Sequence, residues 1–265
     1  MNFLTNTEKK ISLEFEKKGF IIKKSCDKNS LIKIRSIFFD TLYKELRIKK
    51  KISEEDLFNK AHQYIKVKDL NKLRLNLINK LGTSQELKKL YYDSCKEYLN
   101  ILIGNELVMQ KKISLSIQLP KDDSSILPIH SDVWSGVSPY DIVVWIPLVN
   151  CYKTKSMFIL SPNNTQNLVK NLENTKNFDA SKIFKRVKKK LNWIKINFGD
   201  VLIFNQHLPH GNIINKENET RWSLNCRFKN VFTPYVDKKI GEFYEPITLR
   251  VCSKLGMRYN LPKIK

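Results

Sequence analysis

The first hundred residues carry apolar side chains at helical spacing. Ser53, followed by three acidic residues, is typical of a helix start. Gly82 is a natural helix stop, and Thr83-Ser84 is expected to open another helix that runs through Leu99. An amphipathic helix is predicted where apolar residues recur three or four positions apart, at Leu31, Ile32, Ile34, Ile37, Phe38, Leu42 and Leu46.

From Ile113 onward the hydrophobic period changes to two. Residues 113–119 alternate strictly, so Ser114, Ser116 and Gln118 share one face of a predicted strand. Residues 161–164, Ser-Pro-Asn-Asn, are typical of a turn. Further strands are predicted at 142–149, nearly all apolar and therefore central, at 156–160, in a hairpin of 193–196 with 201–204, and at 222–228.

These strands are short and closely spaced, which favours a sandwich or barrel behind a layer of N-terminal helices, an α+β protein. The chain has 265 residues, with 42% hydrophobic and 11% aromatic residues, so a disordered or low-complexity protein is excluded. No internal repeat or linker stands out. We expect a single domain over residues 1–265 that folds without disulfides or a structural metal.

The compartment is expected to be the cytoplasm. Five cysteines are scattered without a Cys-x-x-Cys pair, so neither a disulfide framework nor a zinc ribbon is indicated. No apolar run approaches the ~20 residues that span a bilayer. Glu8, Lys9 and Lys10 lie where a signal peptide would need its apolar stretch.

The net charge of +22 is concentrated at the two ends of the chain. Residues 1–100 carry +10 and residues 151–265 carry +14, whereas residues 101–150 carry −2. The densest basic run is 182–190. A solvated basic face is the simpler interpretation, since charge alone speaks to solubility and non-specific association.

Three of the four histidines fall in the strand-rich half. His130 and Asp132 are two positions apart, so on an extended chain the imidazole and the carboxylate share a face and can hold one cation. A second histidine from a distant strand would complete two histidines and one carboxylate, the set typical of non-haem Fe(II) oxygenases. His207 and His210 are the candidates for that ligand.

Arg221 and Ser223 share a strand face, so a guanidinium and a hydroxyl can converge on one carboxylate. The same face continues through Asn225 and Arg227. In a barrel that holds a polar ligand this polar stripe faces inward, and on an outer strand it faces solvent. The alternation by itself does not decide between the two.

These residues together resemble a known family. The pair His130-x-Asp132, the later His210 followed by glycine, and Arg221-x-Ser223 are similar to the motifs of the 2-oxoglutarate- and Fe(II)-dependent dioxygenases. The layout is closest to the phytanoyl-CoA dioxygenase-like group, and within it to the oxygenases of bacterial surface-carbohydrate gene clusters. The motif core covers about residues 112–230.

The resemblance implies a double-stranded β-helix (jelly roll) over 112–230, a helical support over 1–111 and a C-terminal extension over 231–265. It implies Fe(II) as the metal, 2-oxoglutarate as cosubstrate and O2 as oxidant. The metal ligands would be His130, Asp132 and His210, since the glycine after His210 and its 11-residue gap to Arg221 match the family's spacing. Cosubstrate binding would fall to Arg221, Ser223 and Gln118.

The resemblance further implies hydroxylation or another oxidation of a carbohydrate or activated sugar intermediate in bacterial surface-polysaccharide synthesis, with release of succinate and CO2. The carboxylate of Asp132 favours hydroxylation or another oxidation over halogenation. The family's Pro-Gly-Ser-His loop is replaced here by Ser-Pro-Asn-Asn at 161–164. For a small, sugar-containing and anionic substrate, the candidate contacts are Trp134, Tyr140, Asn205, His207 and Arg227.

Two alternatives belong to other classes of function. One is a basic binding protein for nucleic acid or anionic polysaccharide that uses 182–190, although the negative middle segment argues against nucleic acid. The other is a jelly-roll metal-dependent sugar epimerase or isomerase. That enzyme would work without 2-oxoglutarate and would tolerate changes at Arg221.

Overall fold

A computed structural model of the chain describes residues 3–172 and 179–260. The two ends of the predicted domain, 1–2 and 261–265, therefore lie outside the described residues, as does 173–178. The helices are α1 (Asn6–Lys18), α2 (Lys28–Glu45), α3 (Glu54–Asn59), α4 (Val67–Leu81), α5 (Gln85–Asp93), α6 (Lys96–Ile103), α7 (Pro162–Leu172), α8 (Ala180–Val187) and α9 (Val251–Arg258). The strands are β1 (Phe20–Lys24), β2 (Leu107–Gln110), β3 (Ser114–Gln118), β4 (Ile142–Pro147), β5 (Phe158–Leu160), β6 (Leu191–Trp193), β7 (Asp200–Asn205), β8 (His210–Gly211), β9 (Arg221–Asn230) and β10 (Tyr244–Pro246).

The N-terminal half is helical as predicted, apart from β1, and its helices begin at residues that cap them. Ser53 accepts a hydrogen bond from the backbone of Asp56 at the start of α3, and Ser84 does the same for Leu87 at the start of α5. The two predicted helix starts are therefore confirmed. The end of α4 at Gly82 is confirmed as well.

The predicted continuous helix through Leu99 is wrong, because it breaks between α5 and α6. The Ser94 hydroxyl donates to the carbonyl of Tyr91, and the Ser94 carbonyl accepts from the backbone of Cys26 on another segment. These bonds replace helical ones at residues 94–95. Apolar periodicity does not reveal such a break.

All ladders between the strands are antiparallel, and they form two sheets. The larger sheet has seven strands in the order β1-β7-β4-β9-β2-β10, with β3 also paired to β9. The smaller has the order β6-β5-β8, and an isolated bridge between His130 and His210 extends it beyond β8. The central strand is β9, whose ten residues pair with β4 on one side and with β3 and β2 on the other.

The hairpin expected between 193–196 and 201–204 is wrong. β6 pairs with β5 in the small sheet, whereas β7 lies between β1 and β4 in the large one. Residues Val201 to Phe204 of β7 are all buried, which is the property of a central strand covered on both faces. The Trp193 ring packs edge-on against Phe158 across the β5–β6 pair.

The turn expected at 161–164 is also wrong, because α7 begins there. Pro162 occupies the first position of the helix, where its missing N–H removes no helical hydrogen bond. The carbonyl of Ser161 accepts from the backbone N–H of Thr165, and its hydroxyl accepts from the Asn164 side chain. A Pro-Asn-Asn sequence can thus start a helix as well as form a turn.

The two faces of β9 have opposite environments. Trp222, Leu224, Cys226 and Phe228 are fully buried on the side that meets the helices. There Trp222 packs edge-on against Phe58 of α3 and donates its indole N–H to the Phe58 carbonyl, while Phe228 stacks on Tyr91.

The polar stripe of β9 lies on the opposite face of the larger sheet, away from the helices. Its first members, Arg221 and Ser223, are 3% and 1% exposed. The interpretation of this stripe as a solvent face is therefore wrong, and the inward-facing alternative is confirmed.

The basic run 182–190 covers α8 and the turn after it. Ile183 and Val187 point into a small apolar cluster with Ile129 and Phe158, while all six of the run's cationic residues are exposed. The run therefore forms a solvated face on the outside of the small sheet. Within the described residues, no helix combines the length and apolar composition needed to cross a membrane.

The contact of α3 with β9 predicts a large cost for removing Phe58. Truncation of this fully buried ring, Phe58→Ala, is expected to lower the free energy of unfolding by about 3–5 kcal/mol, since it leaves a cavity beneath Trp222. Urea denaturation measures this. Leu75→Ala on α4, a side chain that is 46% exposed, is the control and should cost less than about 1 kcal/mol. A cost for Phe58→Ala no greater than for the control would show that the helices do not share a core with the sheet.

Candidate active site

Three side chains that are far apart in sequence meet at one end of the small sheet. Ligand atoms of His130, Asp132 and His210 all lie within 4.8 Å of one another. The backbones of the two histidines exchange hydrogen bonds of 3.0 and 2.8 Å, which sets their rings 4.4 Å apart. Asp132 follows at the start of a single 3-10 turn. The structure thus brings together the three predicted ligands, and His207 is not part of the group.

Main-chain carbonyls fix the orientation of both imidazoles. Nδ1 of His130 lies 2.8 Å from the Pro128 carbonyl, and Nδ1 of His210 lies 2.8 Å from the Leu208 carbonyl. Because a carbonyl only accepts, Nδ1 carries the proton and Nε2 keeps its lone pair for a metal. Burial lowers the pKa of His210 to about 4, so this ring is in the neutral, ligating form at neutral pH.

The two carboxylate oxygens of Asp132 have different neighbours, because Arg227 binds only one of them. Its Nη2 donates to Oδ2 over 2.7 Å, while Oδ1 lies 3.7 Å from Nε2 of His130. Gln110 holds the guanidinium in turn, accepting from Nη1 at 3.2 Å. Oδ1 is therefore the oxygen that faces the histidines. The sequence predicted Arg227 as a substrate contact and gave no signal for Gln110, which is the last residue of β2.

Gly211 allows the two ligand segments to approach. A Cβ at this position would lie 2.7 Å from the Leu127 carbonyl and 3.1 Å from the backbone nitrogen of Ile129. Any larger residue would push away the segment that carries His130. A glycine is therefore needed after His210, because there is no space for a side chain at this position.

Arg221 is a buried cation without a carboxylate. It is 3% exposed, and its guanidinium donates only to the Ser156 carbonyl, at 3.2 Å, and to the Ser116 hydroxyl, at 2.9 Å. No carboxylate among the described residues lies within 4 Å, and Nε has no hydrogen-bond partner. Burial lowers its pKa to about 10, so it remains charged at neutral pH.

A cavity of about 100 Å³ is lined by Arg221 and by the three predicted metal ligands. Apolar walls come from Val143, Trp145, Met157 and Phe204, while the polar lining includes Asn225, whose buried Oδ1 has no partner. The full lining is Ser116, Leu127, His130, Asp132, Val143, Trp145, Met157, Phe204, His210, Gly211, Asn212, Arg221, Asn225 and Arg227.

Ser223 and Gln118 lie beside Arg221 but do not line this cavity. Gln118 is directly opposite Arg221 across the β3–β9 pair and donates its amide to the Ile213 carbonyl at 2.6 Å. The buried Oγ of Ser223 and Oε1 of Gln118 have no hydrogen-bond partner in the part of the chain that the structure describes. Ser116, two residues before Gln118, is the strand residue that contacts Arg221, and its position on the same strand face was the available signal.

The remaining substrate candidates lie outside the cavity. Trp134 and Tyr140 are 40% and 54% exposed, on the segment that follows Asp132. Asn205 accepts from the backbone N–H of His207 at 3.1 Å, in the turn between β7 and β8. Burial lowers the pKa of His207, which is half-buried.

Comparison with known proteins identifies relatives in structure only. No family model matches the chain, and no curated protein matches its sequence. Similar solved structures include ThoJ, a non-heme monooxygenase in complex with nickel, at 12% identity and TM-score 0.55 over 88% of this chain and 82% of ThoJ. A second similar structure is the carbocyclase SnoK from nogalamycin biosynthesis, a non-heme alpha ketoglutarate dependent enzyme. Its sequence identity is 14% and its TM-score 0.54, and the match covers 93% of this chain and 97% of SnoK. A third is the epimerase SnoN in complex with Fe3+, alpha ketoglutarate and nogalamycin RO. Its sequence identity is 11% and its TM-score 0.50, and the match covers 93% of this chain and 97% of SnoN. The chain therefore has the fold of these non-heme enzymes.

The contact between Arg227 and Asp132 predicts a specific effect on metal binding. Arg227→Gln should weaken Ni(II) affinity about 10- to 100-fold, because Asp132 loses the donor that orients it. Calorimetric titration measures this. Arg221→Gln is the matched control, since it removes a second guanidinium from the same strand face and cavity without touching a ligand. It should bind Ni(II) like the wild type, and equal losses in the two variants would contradict the positioning role of Arg227.

Proposed function

We propose that the protein is an Fe(II)- and 2-oxoglutarate-dependent oxygenase built on a double-stranded β-helix. Strands β3, β9, β4 and β7 would form one wall of that fold, and the His130 segment with β8, β5 and β6 the other. The shared fold with SnoK and SnoN supports this assignment, and the printed description of SnoN includes both iron and alpha ketoglutarate.

The observation that carries the proposal is the uncompensated guanidinium of Arg221. A buried cation is costly unless an anion pairs with it. Arg221 lines the same cavity of about 100 Å³ as two imidazoles and a carboxylate. A small dicarboxylate can bind both parts of the cavity at once, with one end on the metal and the other on the guanidinium. 2-Oxoglutarate has this chemistry.

Each residue then has a defined task. His130, Asp132 and His210 would hold Fe(II) on one side, through two Nε2 atoms and Oδ1. With Fe(II) and 2-oxoglutarate held there, the site would supply the oxidation of a substrate C–H bond, with O2 as the oxidant and with 2-oxoglutarate converted to succinate and CO2.

Other residues position these groups and exclude water. Arg221 would pair with the distal carboxylate of the cosubstrate, with Ser223 and Gln118 beside it as further donors. Arg227 keeps Oδ2 of Asp132 occupied, so that Oδ1 is the oxygen offered to the metal. The apolar walls formed by Val143, Trp145 and Phe204 keep water from the reacting groups.

For the substrate we propose a small, sugar-containing and anionic molecule, a carbohydrate or activated sugar of bacterial surface-polysaccharide synthesis in the cytoplasm. Trp134 and Tyr140 are exposed on the segment after Asp132, where an aromatic ring can stack on a sugar. Asn205 and His207 remain candidate contacts.

The other functions fit the site less well. A metal-dependent isomerase that works without 2-oxoglutarate leaves the buried Arg221 without a purpose. A basic binding protein that uses 182–190 gives no role to the cavity, which none of those residues lines.

Anaerobic titration with Fe(II) and 2-oxoglutarate tests the proposal. The wild type is expected to develop the visible metal-to-ligand charge-transfer band. Arg221→Gln should need at least about a hundredfold more 2-oxoglutarate, because a buried charge partner is worth ~3 kcal/mol or more. Asp132→Ala and His210→Ala should give no band.

His207→Ala is the control, since it removes a neighbouring imidazole that is outside the ligand group. It should keep the band at wild-type concentrations. A band in Arg221→Gln at wild-type concentrations, or a band lost in His207→Ala and kept in His210→Ala, would overturn the assignment.

A further inference from the structure

Helix α9 carries an apolar stripe that no residue among 3–172 and 179–260 covers. None of the helix's residues is buried. Val251, Leu255 and Tyr259 are 69%, 62% and 66% exposed. These residues are four positions apart, so on and just beyond the helix they lie on one side.

Glu106 holds the first turn of the helix and orients the stripe. Its carboxylate accepts from the backbone N–H of Arg250 and from the Ser253 hydroxyl, each at 2.8 Å. Ser253 therefore faces the protein. Val251 and Leu255 lie on the far side of the helix from Ser253, because residues two positions apart differ by about 200° around the axis. The stripe points into solvent.

An eight-residue helix is marginal in water when no apolar face is packed. Contiguous exposed apolar side chains usually mark a binding surface. The structure thus presents a helix that lacks the burial which normally stabilises one.

One border of the stripe is basic. Lys254 and Arg258, four positions apart, lie along that border, and residues 246–260 contain no acidic residue. Neither cation forms an ion pair with a described carboxylate. The surface that complements this helix must therefore be apolar at its centre and anionic along its edge.

We propose that α9 docks the protein on the surface of an anionic lipid bilayer, in the plane of the headgroups. Val251, Leu255 and Tyr259 enter the boundary between headgroups and acyl chains, where amphipathic helices lie. Lys254 and Arg258 extend their stems along the apolar layer and keep their charges at the lipid phosphates. The net charge of +22 adds long-range attraction to the same surface. This inference is independent of the proposed oxygenase activity.

Vesicle co-sedimentation of the full chain tests the proposal. The wild type should bind vesicles of phosphatidylglycerol and phosphatidylcholine in equal parts, and should stay in solution with phosphatidylcholine alone. Val251→Asn with Leu255→Asn should lower the partition coefficient about tenfold or more, without changing any charge. Lys254→Gln and Arg258→Gln should each lower it about fivefold.

Leu13→Asn is the matched control, because Leu13 on α1 is 64% exposed and lies on another helix. It should bind like the wild type. Since these side chains are exposed, all variants should keep the wild-type melting temperature. Unchanged vesicle binding in the Val251/Leu255 variant would mean adsorption by charge alone and would overturn the proposal. Loss of self-association in that variant, without wild-type vesicle binding, would assign the stripe to an interface between copies and would also overturn it.

Discussion

The structure depends on the strict alternation of strand β9. Its apolar residues, from Trp222 to Phe228, lie against the helices, and this places Arg221, Asn225 and Arg227 on the opposite face, where they line the cavity. A single strand thus contributes both to the core and to the polar lining of the cavity. A shift of one residue in register would turn Trp222 and the other apolar residues of β9 away from the helices. It would also place the guanidinium groups of Arg221 and Arg227 against the helices. Folding and the candidate chemistry therefore rest on the same constraint.

The proposed metal-ligand group of His130, Asp132 and His210 is positioned largely by backbone contacts rather than by side chains. The paired main chains of His130 and His210, the close approach at Gly211 and the two carbonyls behind the imidazoles all precede any metal. Asp132 is the exception, since a side chain, Arg227, holds it. Such a group needs little rearrangement to accept an ion, which is how a structure can favour rapid and specific binding.

Many of the strands and candidate site residues were predictable from the sequence. The features that were not predictable have a common cause. Strict alternation located β3 and β9, and the spacing of His130, Asp132 and Arg221 identified the principal candidates. Pairing between distant segments was not predictable: β7 joins β1 and β4 rather than β6, and the bond from Ser94 to another segment breaks a helix. The same holds for the link from Gln110 through Arg227 to Asp132. Local sequence reports local preference, whereas these features depend on tertiary contacts.

The most direct test of the account is an anaerobic crystal structure with Ni(II), a redox-silent substitute for Fe(II), and 2-oxoglutarate bound. We expect one ion bonded to Nε2 of His130, Oδ1 of Asp132 and Nε2 of His210, with the far carboxylate of the cosubstrate on the guanidinium of Arg221. An ion bound through His207, or a cosubstrate whose far carboxylate leaves Arg221 without an anion, would contradict it.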